Sequence, residues 1–215
     1  KPPWGTIGLL FMAHFVVDSQ VSFLSPLLPL LREKFGLTLG AAGALIGLLA
    51  IFNAGSQPIT AIVTDRWPRL PWLGIGLIGS AIFLTAAGWL SSYATVAIAV
   101  SIGGALAGLA HPDMASRAGA LSDRHRSLAV SIFVAGGRLG FSLGPIIALF
   151  IVKWWGMEWL WIYVGVNIAA VAGITRGLPK LAPAARVGTG HFRGLGTEVW
   201  AARYPLSILL GVTVS

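Results

Sequence analysis

The sequence predicts an all-α membrane protein: six transmembrane helices arranged as a three-plus-three repeat, followed by the start of a seventh. Three observations carry this reading. Of the 215 residues, 56% are hydrophobic and only 10% are charged, where a soluble domain carries about 25% charged residues. The apolar residues fall into six runs, most of them meeting the roughly 20 residues that a bilayer requires, with short polar turns between them. The cations are spread unevenly over those turns.

The first span covers residues 5–31 and contains His14, Asp18 and Gln20, with Pro26 and Pro29 near its far end. The second, 39–63, follows a short charged loop and holds Asn53, Gln57 and Pro58. A polar turn around Asp65 and Arg66 leads into the third span, 71–90. The uncharged turn Ser91-Ser92-Tyr93 precedes the fourth, 94–115, which is rich in Gly and Ala and ends in His111-Pro112-Asp113. The fifth span is 127–152, and the sixth, 159–174, is a little short and contains Asn167. Residues 1–175 therefore form a six-helix bundle. Residues 176–204, rich in Gly, Pro and Arg, read as a cytoplasmic central loop, irregular or partly helical at the membrane surface. Residues 205–215 open an apolar run too short to span, the start of a truncated seventh helix. The chain opens on Lys1 rather than Met, so its true start is expected upstream.

With a cytoplasmic N-terminus, eleven Lys and Arg residues fall inside and three, Arg32, Lys34 and Lys153, fall outside. The positive-inside rule favours that orientation and explains the net charge of +8 without nucleic acid. Trp67, Trp72, Trp89, Trp154, Trp155 and Trp159 sit at span ends, as interfacial anchors do. There are no cysteines, which excludes a disulfide framework and cysteine-based metal sites. The triplets share a weak symmetry. The first helix of each carries a His and an Asp, and the second carries a proline, Pro58 or Pro145.

The stretch 127–152 organises the chain. Arg138 lies near its middle, among Gly136, Gly137, Gly140, Gly144 and Pro145. An arginine at membrane depth costs a few kcal/mol or more, so it should face protein or a water-filled cavity. Gly140 and Gly144 leave one helix face thin enough for a neighbouring backbone to approach. Pro145 removes a backbone donor and is expected to bend the helix. Asp18 lies mid-span with His14 one turn away on the same face, a carboxylate suited to carrying a proton. Arg138 is expected either to bind a substrate's negative charge or to pair with Asp18. Asn53 and Gln57, an i, i+4 pair, either line a cavity as substrate ligands or hydrogen-bond across helices. His111, Asp113 and Arg117 form either a cytoplasmic gate or a salt bridge near the surface. Asn167 reads as interhelical glue.

No enzyme constellation and no cofactor motif emerges. There is no phosphate loop and no His-Glu-x-x-His. Gly140-Phe141-Ser142-Leu143-Gly144 and the glycines at 74, 76 and 79 match a nucleophile elbow and a dinucleotide fingerprint by letter only. Both lie inside apolar spans and read as packing glycines.

Residues 61–70 resemble the loop between helices two and three of the major facilitator superfamily, Gly-x-Leu-x-Asp-Arg-x-Gly-Arg-Arg. The match is the Asp65-Arg66 core and Arg69; Ala61, Val63, Pro68 and Leu70 depart from it. Gly140-x-x-x-Gly144-Pro145 resembles the antiporter signature of proton-coupled exporters, with Ala148 and Leu149 replacing its later glycines. A narrower resemblance, to fosmidomycin-resistance-type exporters, covers nearly all of residues 5–175. It rests on His14 with Asp18, Ser25-Pro26-Leu27-Leu28-Pro29, Gln57-Pro58, Thr64-Asp65-Arg66, His111-Pro112-Asp113 and Leu143-Gly144-Pro145.

The resemblance implies half of a twelve-helix fold in the bacterial inner membrane. The implied activity is proton-coupled export of small amphiphilic or anionic compounds by alternating access. Asp18 would carry the proton with His14 tuning it, and Asp65 with Arg66 would latch the cytoplasmic side. Arg138 stands where that subfamily is expected to carry an uncharged polar residue, which favours a more anionic substrate. A six-helix half has three explanations: a fragment of a full transporter, a pair of copies, or a structural subunit of a larger membrane complex. An organic-anion uptake carrier would share the fold.

Overall fold

Each predicted span becomes helix because a backbone in lipid must satisfy its own N–H and C=O groups. The structure, a computed structural model, describes residues 4–66, 71–121 and 125–177, without the side chains of residues 61, 62 and 64–66. The elements are α1 (Trp4–Val21), α2 (Leu24–Phe35), α3 (Leu39–Arg66), α4 (Trp72–Thr85), α5 (Tyr93–Ala120), α6 (Arg126–Trp155) and α7 (Ile162–Gly177). Short 3-10 turns, Ala86–Gly88 and Met157–Trp161, extend α4 and lead into α7. No strand occurs among the described residues. The predicted central loop and seventh-helix start lie outside the described residues from residue 178 onward.

Among the described residues, five helical stretches are long and apolar enough to cross a bilayer: Trp4–Phe35, Leu39–Thr60, Tyr93–Ala120, Arg126–Trp155 and Met157–Arg176. Trp72–Gly88 is a shorter apolar helix. The short span is thus the third, where the sequence pointed to the sixth. Its 3-10 end is held against the turn before α7. A Cβ on Gly88 would lie 2.6 Å from the Met157 carbonyl oxygen. Trp89 Nε1 donates to the Glu158 carbonyl at 3.2 Å, and Lys34 Nζ donates to the Gly88 carbonyl at 3.0 Å.

Prolines and glycines shape the helices differently according to place. The first span is interrupted at Ser22 and Phe23, because Pro26 has no amide to offer the carbonyl one turn back. Gly36, at φ 62°, ends α2 in the left-handed conformation, and Leu37 N–H returns to the Arg32 carbonyl at 3.0 Å. Pro58, Pro112 and Pro145 lie inside continuous helices. The fourth span therefore does not end near His111-Pro112-Asp113 but runs on to Ala120. A proline there removes one hydrogen bond, which a bundle tolerates when neighbouring groups repair it.

The helix pairing follows a pseudo-twofold rule. The first helix of each triplet packs against the second helix of the other, α1 on α6 and α5 on α3. It also packs against the other triplet's third helix, α1 on α7 and α5 on α4. The pairs α1 with α5 and α4 with α7 are then the self-related contacts about the axis. This is the three-plus-three arrangement in structural form.

Small residues permit the closest of these approaches. On α6, a Cβ at Gly136 would meet the Phe11 carbonyl oxygen at 2.5 Å, and one at Gly140 or Gly144 would strike the Phe15 or Ser19 carbonyl. On α5, a Cβ at Gly104 would lie 2.9 Å from the Leu49 carbonyl oxygen, and one at Gly108 would strike that of Asn53. Lipid is as apolar as leucine, so such close backbone contact, rather than water exclusion, holds helices together here. Gly140→Ala should therefore destabilise by about 1–3 kcal/mol through overpacking. Gly47→Ala, with open space around the new Cβ, should not. Thermal unfolding of the two variants in mild detergent checks this.

Candidate functional site

The i, i+4 spacing of His14 and Asp18 places both on one face of α1, with His14 Nε2 3.3 Å from Asp18 Oδ2. The other carboxylate oxygen, Oδ1, is 2.9 Å from Nε2 of His111 on α5. The two imidazoles meet edge to face, with centroids 5.2 Å apart. His111, placed with a cytoplasmic gate in the sequence reading, thus belongs to the centre of the bundle. It arrives there because α1 and α5 face each other across the pseudo-twofold axis, and each carries a histidine on that side.

Both imidazoles are held from behind. Nδ1 of His14 donates to the Phe133 carbonyl at 2.9 Å, and its ring stacks on Phe133 at 4.1 Å. Nδ1 of His111 donates to the Ala107 carbonyl, one turn back on its own helix, at 2.7 Å. A carbonyl only accepts, so each Nδ1 carries a hydrogen and each Nε2 is left to face Asp18. Two protons must then be shared along the two Nε2–carboxylate contacts for both to be hydrogen bonds. With fewer, a nitrogen lone pair meets an oxygen lone pair. Gly137 makes room for this arrangement, since a Cβ there would lie 2.5 Å from Asp18 Oδ2 and from His14 Nε2.

The cluster forms one wall of a cleft of ≈ 290 Å³, lined by His14, Asp18, His111, Val134, Arg138 and Phe141. Arg138 is exposed on α6, and among the described residues it makes no ion pair. Asp18 has both oxygens on histidines instead. Arg138 thus lines the cleft without an ion-pair partner among the described residues.

The other predicted positions fall elsewhere. Asn53 and Gln57 hydrogen-bond to each other on α3 at 3.3 Å, beside the α5 seam and apart from the cleft lining. Asp113 and Arg117 form an ion pair at 3.0 Å along α5. Gly140, Gly144 and Pro145 lie on α6, the two glycines against α1. The side chains of Asp65 and Arg66 lie outside the described residues.

Behind the site runs a buried polar chain. Gln20 Nε2 donates to Ser80 Oγ at 2.5 Å, and Asn167 Nδ2 donates to Gln20 Oε1 at 2.9 Å and to the Tyr163 carbonyl at 2.7 Å. These bonds tie α1, α4 and α7 on the side of α1 away from Asp18. Asn167 thus bridges helices as its position in an apolar span implied. Gln20 stands out in the first span but has no role there until its partner is known, and Ser80 carries no signal of its own in the sequence.

The described residues form an all-helical bundle of pseudo-twofold triplets with a charged cleft, the architecture of inverted-repeat membrane folds. Residues 10–212 match the Major Facilitator Superfamily, and the chain belongs to it. The fosmidomycin resistance protein of Escherichia coli is 29% identical over 180 residues, 82% of this chain and 44% of that protein. A probable 4-methylmuconolactone transporter of Cupriavidus pinatubonensis is 28% identical over 149 residues, 68% of this chain and 35% of that protein. The chain spans less than half the length of these curated relatives. A crystal structure of the peptide transporter POT with sulfate shares the fold, with a TM-score of 0.68 at 16% identity over 100% of this chain and 46% of that one.

Two substitutions separate buried from peripheral polar contacts. Gln20→Leu strands Asn167 and Ser80 and should lower stability by about 1–3 kcal/mol. Arg117→Gln removes a partly exposed ion pair and should change it by less than about 1 kcal/mol. Denaturation in detergent, followed by helical circular dichroism, reads both.

Proposed function

We propose that this chain supplies the N-terminal half of a proton-coupled exporter of small anionic or amphiphilic compounds, working by alternating access. The N-terminus is cytoplasmic, and the membrane is the bacterial inner membrane. The observation that carries this reading is the Asp18 carboxylate bracketed by His14 and His111 on the wall of the cleft that Arg138 enters. Asp18 with His14 holds the transported proton, and His111 completes the hydrogen-bonded set. Arg138 binds the substrate's negative charge, since no carboxylate among the described residues pairs with it. Asp113 with Arg117, Asp65 with Arg66, and the Gly140–Gly144–Pro145 segment are the elements on which opening and closing act. Asn53 and Gln57 extend the polar lining when the second half closes over the cleft. The direction is argued from the similarity to the fosmidomycin resistance protein.

An uptake carrier for organic anions is the second reading, favoured by the similarity to a probable 4-methylmuconolactone transporter. The direction of proton-driven flux separates the two. A non-transporting structural subunit would need a permanent Arg138–Asp18 pair; the two histidine contacts of Asp18 speak against it.

The test is export of fosmidomycin from cells producing the protein, and from vesicles under an imposed proton gradient. Asp18→Asn should reduce proton-driven flux to background while the protein remains folded and monodisperse. Unchanged flux in that variant at several pH values removes Asp18 from the mechanism. Arg138→Gln should weaken binding of anionic substrates about 10- to 100-fold, the loss expected when a charge-assisted hydrogen bond is removed.

A further inference from the structure

His14, Asp18 and His111 present one ligand atom each, and these atoms lie within 4.8 Å of one another. Two imidazole nitrogens and a carboxylate oxygen are a donor set for zinc and the neighbouring divalent transition metals. The surroundings add an independent argument. A metal-ligating histidine almost always donates its other ring N–H to a carbonyl or carboxylate, which fixes the tautomer and aims the remaining lone pair. Both histidines here do so, His14 to the Phe133 carbonyl and His111 to the Ala107 carbonyl. Each Nε2 is thereby aimed at Asp18, at 3.3 Å and 2.9 Å. A cation has to sit between these groups, whether two protons or one metal ion, or their lone pairs face one another.

We propose that His14, Asp18 and His111 form a binding site for one divalent transition-metal ion of the zinc class. Bonds of about 2.0–2.2 Å place tetrahedral ligands about 3.4 Å apart. Each imidazole is already near that distance from one carboxylate oxygen, His14 from Oδ2 at 3.3 Å and His111 from Oδ1 at 2.9 Å, and with a single oxygen as ligand the three atoms lie within 4.8 Å of one another. The two imidazoles need to close by roughly 1–1.5 Å at most, within the reach of small side-chain rotations about the Nδ1 hydrogen bonds. Gly137 leaves the space that a contracted cluster needs on the α6 side. The fourth position opens on the cleft. Arg138 is the charged group that faces it from α6, so the fourth ligand is water or an anion, not a further cation.

This inference shares residues with the proposed transport function but does not rest on it, because metal binding is read without transport. The full chain, purified in mild detergent and stripped with chelator, is titrated with Zn²⁺ by calorimetry and with Co²⁺ by visible absorption. Wild type should take up one ion per chain and give the Co²⁺ spectrum of a four-coordinate nitrogen–oxygen site. His14→Asn, His111→Asn and Asp18→Asn should each weaken uptake at least about tenfold. His125→Ala, outside the cluster, should leave it unchanged. Circular dichroism and gel filtration of each variant establish that the fold persists, and the isosteric Asp18→Asn keeps the test decisive if a histidine variant misfolds. Absence of saturable Zn²⁺ uptake by wild type overturns the proposal. So does uptake that survives the His14→Asn/His111→Asn double substitution, or uptake that follows His125 instead. Loss of transport in Asp18→Asn without any metal binding supports the transport reading alone.

Discussion

The contact between α6 and α1 is the constraint on which the centre of the molecule depends. Where Gly136, Gly140 and Gly144 face α1, there is no side chain to hold the two backbones apart. That closeness brings the Phe133 carbonyl within 2.9 Å of His14 Nδ1, and it places Gly137 against the His14–Asp18 pair. A helix one methyl group further away would leave the imidazole without its rear partner, free to rotate out of line with Asp18. Glycine destabilises an isolated helix by about 1 kcal/mol per residue relative to alanine. A lipid-embedded bundle accepts this because close van der Waals contact is its main source of helix association.

The same demand is met twice, by different means. The pairing of α5 with α3 repeats that of α1 with α6 about the pseudo-twofold axis. In the α1–α6 pair the small residues lie on the second helix of a triplet, and in the α5–α3 pair Gly104 and Gly108 lie on the first. Topology has kept the repeat while residue choice has diverged. This is why the internal symmetry of the sequence is weak and its spacings match poorly, although the main helix pairs correspond.

Around this frame the polar groups divide by setting. Gln20, Ser80 and Asn167 are fully buried and bonded to one another, so they fix the rear of α1. Asp18, His14 and His111 are partly reached from the cleft, with one carboxylate shared between two imidazoles. Arg138 stands opposite with no acidic partner among the described residues. A rigid back and an unsaturated front are what a site needs if it is to hold a cation and an anion in turn without loosening the bundle.

The six spans, the His14–Asp18 face and the isolated charge of Arg138 were legible in the sequence, because hydropathy and helical spacing are local properties. So was the membership suggested by Asp65-Arg66, Gly140-x-x-x-Gly144-Pro145 and His111-Pro112-Asp113. The partner of Asp18 was not legible. Arg138 was the expected partner across the bundle and His111 was grouped with a gate, whereas the structure places His111 on Asp18; the choice lies in how far each helix is rotated about its own axis. Only packing sets that rotation, through glycines whose contacts lie far off in the chain, such as Gly140 on Phe15 and Gly108 on Asn53. The continuation of α5 past Pro112 was decided in the same way, since a proline ends a helix in isolation but not where the bundle supports both sides of it. Sequence alone determined which segments cross the membrane and which charges they carry inside; the tertiary structure decided which of those charges meet, because that depends on azimuth and close approach rather than on composition.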